Sequence, residues 1–288
     1  MNAADGARAG DTGPVLTWLY APGDRPDVVA KALRSGADVV IVDLEDAVAP
    51  ERKGYALDAT AELLTERPPV PAQVRVNALT GPLARNEVER LAGLPGLAGL
   101  RLPKTRSPQE VATVAAWAGG GPGGAVPPLW PLLESALGLE RAFVIAEGHP
   151  AVAGIALGEA DLRAELGVTD ETGLAWARSR AVVAARAAGL APPAQSVYPD
   201  VRDLPGLAAS CAVGRALGLV GRAAIHPRQL PVIEAAFAPT EAEVAAADEI
   251  LAAAATAAGA QALPDGRFVD PAIVAGARRT VALAERFR

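Results

Sequence analysis

Polar and charged residues gather at one end of the apolar runs of this sequence. The clearest case is ADVVIVD at 37–43, where Asp43 is followed by Glu45 and Asp46, so that three carboxylates fall within four positions. Later runs end in the same way, at Arg75, Asn77, Lys104, Glu134, Glu159, Asp161, Tyr198, Asp200 and His226. If the runs are parallel strands, their carboxyl ends meet, and the sequence predicts one polar pocket.

Carboxylates without histidine or cysteine partners suit a hard divalent cation. Magnesium takes only one or two protein carboxylates and completes its shell with water and substrate oxygens. Glu134 and Asp161 are the preferred ligands on this pattern. The alternative is that both are helix caps or members of ion pairs, because acidic residues also suit helix N-termini.

Two basic residues at strand ends allow more than one interpretation. Arg75 lies in the apolar segment VRVNA, where its guanidinium could bind a substrate carboxylate or form a structural salt bridge with Asp43 or Glu45. Lys104 could form a Schiff base with a carbonyl substrate, or it could simply be an ion-paired lysine. The sequence contains no GxSxG, P-loop or GxGxxG motif after a strand, which argues against the commonest hydrolase and nucleotide sites.

The elements that would position these residues alternate along the chain. Apolar runs with strand character occur at 15–20, 37–43, 72–77, 97–103, 129–134, 152–158, 196–199 and 219–225, with helical patterns between them. Eight alternating units favour an α/β fold of the (β/α)8 TIM-barrel type over an open doubly wound sheet. We therefore expect a flexible N-terminal tail at 1–14, a catalytic barrel at 15–238 and a C-terminal helical extension or lid at 239–288.

Composition narrows the class of partner. The net charge of −6 argues against binding to nucleic acid or to an anionic membrane, and no apolar run reaches the length of a membrane span. The chain has one cysteine, Cys211, which excludes an internal disulfide and a thiolate metal cage. We expect a cytoplasmic protein that acts on a small molecule.

Nine segments carry a family resemblance when they are taken together and in order. They are YAPGDRPDVVAKAL, ADVVIVDLEDAVAPERK, VRVNAL, LRLPKT, PLLESALGL, GIALGEADL, ARSRAVVAARAAGL, SVYPDVRD and GRAAIHPRQL. In these segments the chain resembles the citrate lyase β-subunit-like branch of the HpcH/HpaI aldolase family. The resemblance implies a magnesium-dependent barrel that cleaves or forms a carbon–carbon bond in 3-hydroxy acids, usually as coenzyme A or acyl-carrier thioesters.

The resemblance also implies roles for individual residues. Glu134 of PLLES and Asp161 of GEADL match the ligands of the metal, which is Mg²⁺ with Mn²⁺ as an option. Arg75 of VRVN matches the arginine that binds the substrate carboxylate. Glu45 and Asp46 match acidic residues that hold the waters of the metal and can pair with this arginine.

Further residues follow from the same resemblance. Gly158, Glu159 and Ala160 of GEADL are expected to bind substrate. In malyl-CoA lyases a C-terminal acidic residue from a neighbouring subunit assists as acid or base, and Asp270 of GRFVD has the matching place. This implies a homo-oligomer, a trimer or a hexamer.

The expected reaction converts a short 3-hydroxyacyl-CoA, such as malyl-, citramalyl- or citryl-CoA, into a 2-oxo acid and an acyl-CoA, or the reverse. The sequence departs from the family pattern at Thr105-Arg106-Ser107 and at Asp24, near the thioester end of the expected site. Two alternatives therefore stay open. One is an aldolase that uses free 2-oxo acids without coenzyme A, and the other is a citrate lyase β-type subunit that acts only with an acyl-carrier partner.

Overall fold

The computed structural model of the chain describes residues 14–120, 124–256, 261–262 and 266–288. These residues form two units. The longer unit is Leu16–Ala236, and the shorter one combines residues 14–15 with residues 237–288, apart from the gaps just given. Of the flexible tail expected at 1–14, all but Pro14 lies outside the described residues.

A parallel sheet forms the centre of the longer unit. Its described strands are β1 (Thr17–Pro22), β2 (Val39–Asp43), β3 (Ala72–Arg75), β4 (Leu97–Leu102), β5 (Leu129–Leu133), β6 (Ala156–Leu157) and β7 (Arg222–Ala224). They lie in the order β6-β5-β4-β3-β2-β1-β7, so the last strand pairs with the first. Every residue of the β-branched strand β2 is buried, as in a strand covered on both faces. The predicted α/β class with a parallel sheet is confirmed.

Helices connect these strands. They are α1 (Pro26–Ala32), α2 (Lys53–Leu63), α3 (Ala84–Leu91), α4 (Pro108–Gly119), α5 (Ala136–Glu140), α6 (Ala142–Ala146), α7 (Glu159–Leu166), α8 (Ala175–Ala187), α9 (Leu204–Ala216) and α10 (Leu230–Phe237), the last of which ends at the boundary of the unit. Short 3₁₀ turns occur at Pro50–Arg52, Glu171–Leu174 and Pro227–Gln229. None of the described helices is both long enough and apolar enough to cross a membrane.

Helix α4 illustrates how local sequence sets these boundaries. Ser107 precedes Pro108 and accepts a hydrogen bond from the backbone N–H of Glu110, whose carboxylate accepts from the N–H of Ser107 in return. This capping box satisfies two backbone donors at the start of the helix. Its buried residues Val111, Val114, Ala115 and Ala118 follow helical spacing and face the interior.

The strand predicted at 196–199 is wrong. In its place Gln195 forms a single bridge with Arg222 of β7, and residues 196–199 pair with no strand of the described chain. The backbone hydrogen bonds with residues 220–223 form at Pro193 and Gln195, ahead of the predicted segment, and Pro199 within that segment has no backbone N–H to donate. Strand β6 is also shorter than its predicted run at 152–158. The closed eight-stranded barrel is therefore not confirmed.

The shorter unit contains α11 (Glu241–Thr256), β8 (Gln261–Ala262), β9 (Phe268–Val269) and α12 (Pro271–Glu285). Strands β8 and β9 pair in antiparallel fashion, and α11 packs against α12. Both helices lie within residues 239–288, where a C-terminal helical extension or lid is expected, and the role of this segment as a lid stays a prediction.

Candidate active site

The carboxyl end of β2 holds the guanidinium of Arg75 from the neighbouring strand β3. Asp43 and Arg75 are partners in the strand register, so both side chains point to the same side of the sheet. Nε and Nη2 of Arg75 donate to Oδ1 and Oδ2 of Asp43 at 2.8 and 2.6 Å. Nη1 lies 2.9 Å from Oε2 of Glu45 and 3.3 Å from Oδ2 of Asp46. The salt bridge considered as the alternative for Arg75 is thus present.

Asp43 is fixed by the loop that follows it. Its two carboxylate oxygens accept the backbone N–H groups of Glu45 and Ala47 at 2.9 and 3.1 Å. A carboxylate held by backbone donors and by a two-pronged guanidinium has little freedom to turn. Asp43 therefore fixes the plane of the Arg75 guanidinium, whereas Asp46, whose side chain is 61% exposed, is its loosest partner.

Lys104 adopts a backbone conformation that few residues other than glycine adopt, with φ of 53°. This turn after β4 directs its backbone N–H to Oε2 of Glu134 at 2.7 Å, while its Nζ donates to Oε1 of Glu45 at 2.6 Å. Burial works to lower the pKa of the Lys104 amine, but the hydrogen bond and charge of Glu45 outweigh it and raise the pKa. A Schiff base needs a neutral amine, so the structure favours the ion-paired interpretation of Lys104.

Glu134 follows β5 and is almost fully buried. Burial, together with the nearby charge of Glu45, raises the pKa of its carboxyl to about 7. The backbone of Gly158 packs directly against it, because a Cβ atom at that position would lie 2.4 Å from Oε1 of Glu134. Only glycine fits there, which brings the start of α7 next to the Glu134 carboxylate.

Asp161 lies in the first turn of α7, at the rim of the same cavity. We name this space of about 380 Å³ the main cavity; Tyr20, Asp43, Arg75, Arg101, Glu134 and Asp161 are among the residues that line it. A second, smaller space of about 340 Å³, which Lys104 also lines, shares Glu134 and Asp161 with it. The predicted ligands Glu134 and Asp161 and the predicted carboxylate binder Arg75 are thus brought together.

The donor set suits a hard cation that keeps part of its water shell. Within the described residues, no group donates a hydrogen bond to Oε1 of Glu134 or to the carboxylate of Asp161. The same part of the chain contains no cluster of three or more acidic, histidine or cysteine side chains of the kind that encloses a metal. Two carboxylates with free oxygens beside a cavity match what Mg²⁺ takes from proteins.

The carboxylate of Glu159 accepts hydrogen bonds from another helix of the protein. Nε and Nη2 of Arg178 on α8 each donate to it at 2.8 Å, and Nη2 also reaches Glu171 at 2.8 Å. Glu171 in turn accepts from Ser210, which accepts from the buried Arg222 of β7. Substrate binding at 158–160 therefore stays a prediction for the backbone of Gly158, Glu159 and Ala160, not for the Glu159 carboxylate.

Arg178→Gln is expected to lower the free energy of unfolding by about 3–5 kcal/mol, because Glu159 would keep a buried charge without its partner. Urea denaturation followed by circular dichroism measures the change. Arg186→Gln, on the exposed side of the same helix, is the matched control and should stay within about 0.5 kcal/mol of the unaltered protein. Equal small effects of both substitutions would contradict this description of the network.

Asp270 belongs to the shorter unit. It caps the start of α12, where its Oδ1 accepts the backbone N–H of Ile273 at 2.8 Å. An aspartate at this position is a common helix cap, which accounts for its conformation. Its role as an acid or base stays a prediction.

Two residues that the structure places in or beside the site are not among those predicted from the sequence. Arg101 lies in the apolar segment LRLP as Arg75 lies in VRVN, so the same signal, a charge within a buried strand, could have found it. Arg178 has no comparable signal, since one arginine among several on a helix does not stand out. Its importance follows from contact with Glu159, which is distant in sequence.

Comparison with known proteins places the chain among relatives over most of its length. The family model described as HpcH/HpaI aldolase/citrate lyase matches residues 16–227. A (3S)-malyl-CoA thioesterase from Cereibacter sphaeroides is 35% identical over 285 residues, covering 94% of this chain and 95% of the relative. An L-malyl-CoA/beta-methylmalyl-CoA lyase from Rhodobacter capsulatus is 32% identical over 302 residues, covering 93% of each.

A solved structure shows the same fold. The protein CitE from Mycobacterium tuberculosis, in complex with magnesium, acetoacetate and coenzyme A, superposes with a TM-score of 0.80 at 31% identity, covering 96% of this chain and 99% of that chain. The resemblance found in the sequence motifs is confirmed. The chain therefore belongs to the HpcH/HpaI aldolase/citrate lyase family of carbon–carbon lyases.

Proposed function

We propose that this protein is a Mg²⁺-dependent lyase that splits a short 3-hydroxyacyl-CoA into a 2-oxo acid and an acyl-CoA, or joins them. Malyl-, citramalyl- and citryl-CoA are the candidate substrates. The observation that carries the proposal is the main cavity, where Arg75 lies with two carboxylates, Glu134 and Asp161, that have free oxygens. Relatives that act on malyl-CoA, and a structural neighbour that binds magnesium and coenzyme A, support it.

Each site residue has a task in this reaction. Glu134 and Asp161 would hold Mg²⁺ or Mn²⁺, which when bound supplies positive charge to the oxygen that becomes the ketone of the 2-oxo acid. Arg75 binds the carboxylate next to that carbon. Because Asp46 is its loosest partner, the substrate carboxylate takes the place of Asp46 at Nη1, while Asp43 keeps the guanidinium plane fixed.

Cleavage also requires proton transfers. The hydroxyl gives its proton to a base, the bond between the hydroxyl-bearing carbon and the α-carbon of the thioester breaks, and its electron pair stays on the α-carbon as an enolate, which gains a proton to become the acyl-CoA. Glu45 and Asp46 form ion pairs with Arg75, which lines the main cavity, and with Lys104, which lines the second one. Asp270 stays the proposed acid or base on the strength of the family resemblance.

The raised pKa of Glu134 predicts that Mg²⁺ binds more weakly as the pH falls. Below pH 7 the metal-free carboxyl is protonated and must release its proton when the cation binds, whereas above pH 8 it is already ionised. The Kd for Mg²⁺ should therefore rise about tenfold for each pH unit below the pKa of Glu134, and level off above it. Calorimetric titration at pH 6, 7 and 8 measures both Kd and proton release; the same Kd at pH 6 and pH 8 would contradict it.

The proposed reaction is tested with purified protein and malyl-, citramalyl- and citryl-CoA, with MgCl₂ and with EDTA. Release of a 2-oxo acid and an acyl-CoA that requires Mg²⁺ would support the lyase. Turnover of free 2-oxo acids with an aldehyde and no response to thioesters would favour the CoA-independent aldolase. Activity only after addition of an acyl-carrier partner would favour the β-type subunit. Release of free coenzyme A would show a thioesterase step like that of the Cereibacter relative.

We also propose that the sheet closes into a (β/α)8 barrel through the segment before Ser196. Backbone hydrogen bonds join Gln195 to Gly221 and Ala223, at 3.0 and 2.9 Å, and the backbone N–H of Glu159 lies 3.4 Å from Oγ of Ser196. We further propose that the protein is a cytoplasmic homo-oligomer, either a trimer or a hexamer. Light scattering after size-exclusion chromatography measures the mass of the oligomer.

A further inference from the structure

Arg101 is a second arginine on the wall of the main cavity. It lies opposite Arg75 in the register of β4 and β3, and Arg75 lies opposite Asp43 of β2, so these three side chains point to the same side of the sheet. All three line the main cavity, although only 4% of Arg101 is exposed. The cavity therefore has guanidinium groups on two adjacent strands.

Only one of these two guanidinium groups has its charge neutralised by carboxylates. Nε of Arg101 donates to Oε1 of Gln73 at 2.8 Å, and no carboxylate of the described chain forms an ion pair with Arg101. Burial lowers the pKa of Arg101; the phenol of Tyr20 acts against this and Arg75 adds to it. The groups that act on the charge of Arg101 thus include no acid.

The other two buried arginines of the longer unit are situated differently. Arg178 forms an ion pair with Glu171, and Arg222 is joined to the same carboxylate through the hydroxyl of Ser210. Neither of them lines the main cavity. A buried cation without a counter-ion is unfavourable, and the charge of Arg101 faces a space that a ligand can enter.

The main cavity leaves room beyond a carboxylate bound to Arg75. The cavity extends to Trp18 of β1 and to its register partner Ala223 of β7. Trp18 lies four residues before Pro22, the last residue of β1, and four residues correspond to roughly 13 Å along a strand. A two- or three-carbon acid held by Arg75 would leave much of this space empty.

We propose that Arg101 binds a second carboxylate of the substrate, so that the 2-oxo acid half is a dicarboxylic acid such as oxaloacetate. This assignment rests on the proposed function. Among the candidate thioesters it selects citryl-CoA, which has an additional carboxylate group. Adjacent strands lie about 4.8 Å apart, a separation that the two carboxylates of a four-carbon acid can bridge. Arg75 holds the carboxylate next to the carbonyl, and Arg101 holds the distal one in a charge-assisted contact.

Calorimetric titration of the full chain with freshly dissolved oxaloacetate and with pyruvate, both in MgCl₂, tests this assignment. The unaltered protein should bind oxaloacetate at least about tenfold more tightly than pyruvate. Arg101→Met should bind oxaloacetate about 100-fold more weakly and change pyruvate binding less than about threefold. Equal weakening for both acids, or equal affinity of the unaltered protein for both, would overturn the assignment.

Two further variants separate recognition from folding. Arg101→Lys keeps the charge and should retain a preference for oxaloacetate, and Arg85→Met, an exposed arginine of α3, should change neither affinity. Arg101→Met should melt at the same or a higher temperature than the unaltered protein, because an unpaired buried charge is removed. The assignment would be overturned if Arg101→Met melted at a much lower temperature and Arg101→Lys restored the melting temperature but not the preference for oxaloacetate. Arg101 would then have a structural role.

These measurements are independent of the lyase reaction. If no thioester is cleaved but oxaloacetate is preferred through Arg101, the proposed function fails and the second carboxylate site stands. If thioesters are cleaved and oxaloacetate is not preferred, the proposed function stands and the assignment of Arg101 fails.

Discussion

Glu134→Gln is expected to lower kcat/KM for Mg²⁺-dependent cleavage of the thioester by about 10³-fold or more. The substitution removes one negative charge and keeps the shape of the side chain, and the amide oxygen can still accept the backbone N–H of Lys104. The fold around the site is therefore retained while the cation loses a ligand. Rates of 2-oxo acid release over a Mg²⁺ titration, with calorimetry of Mg²⁺ binding, measure both consequences.

Glu140→Gln is the matched control for this substitution, because Glu140 is an exposed carboxylate at the end of α5 in the same unit. It should leave both the rate and the Kd for Mg²⁺ unchanged. If Glu134→Gln kept the Kd for Mg²⁺ and most of the rate, Glu134 would not be a ligand. The cation would then bind at a different position, or the site would hold none.

Arg75→Lys is expected to raise KM for the 2-oxo acid in the condensation direction by about 100-fold. Lysine keeps the positive charge, but its single nitrogen cannot hold both oxygens of Asp43 and also bind a substrate carboxylate in a two-pronged contact. Steady-state kinetics with each 2-oxo acid and acetyl-CoA measure the change. Arg85→Lys on the exposed face of α3 is the control.

Stability measurements on Arg75 variants separate binding from folding. Arg75→Met leaves Asp43, whose side chain is 2% exposed, with a buried charge and no counter-ion, which costs about 3–5 kcal/mol of unfolding free energy. Arg75→Lys should lose much less. A lysine variant with normal KM would show that Arg75 serves only the salt bridge with Asp43 and Glu45, which was the alternative interpretation of the sequence.

The sequence predicts those parts of the fold and site that depend on local pattern. Buried apolar runs identify β2 and its neighbours, and the polar residues near the ends of the later runs predict that Glu134 and Asp161 lie in one pocket. The segment at 196–199 shows where pattern fails. Its residues suit a strand, but the backbone hydrogen bonds with residues 220–223 form just before it, at Pro193 and Gln195, and Pro199 has no backbone N–H to donate.

Contacts between distant segments are the part that pattern could not supply. From the sequence, Glu159 is expected to bind substrate two residues before the predicted metal ligand Asp161. In the structure, its carboxylate accepts two hydrogen bonds from Arg178 of α8. The sequence allows Arg75 to bind substrate or to form a salt bridge. In the structure its guanidinium contacts a fixed partner, Asp43, and a replaceable one, Asp46. How one arginine divides its contacts between two carboxylates depends on strand register and on the distances between side chains, which composition does not reveal.

The most direct test of the central claim is a crystal structure of the protein with Mg²⁺ and a bound 2-oxo acid. We expect a cation on Glu134 and Asp161, with the acid coordinated to it and its carboxylate on Arg75 in place of Asp46. A cation held elsewhere, or an acid bound away from Arg75 while Asp46 keeps its contact, would contradict the proposed site.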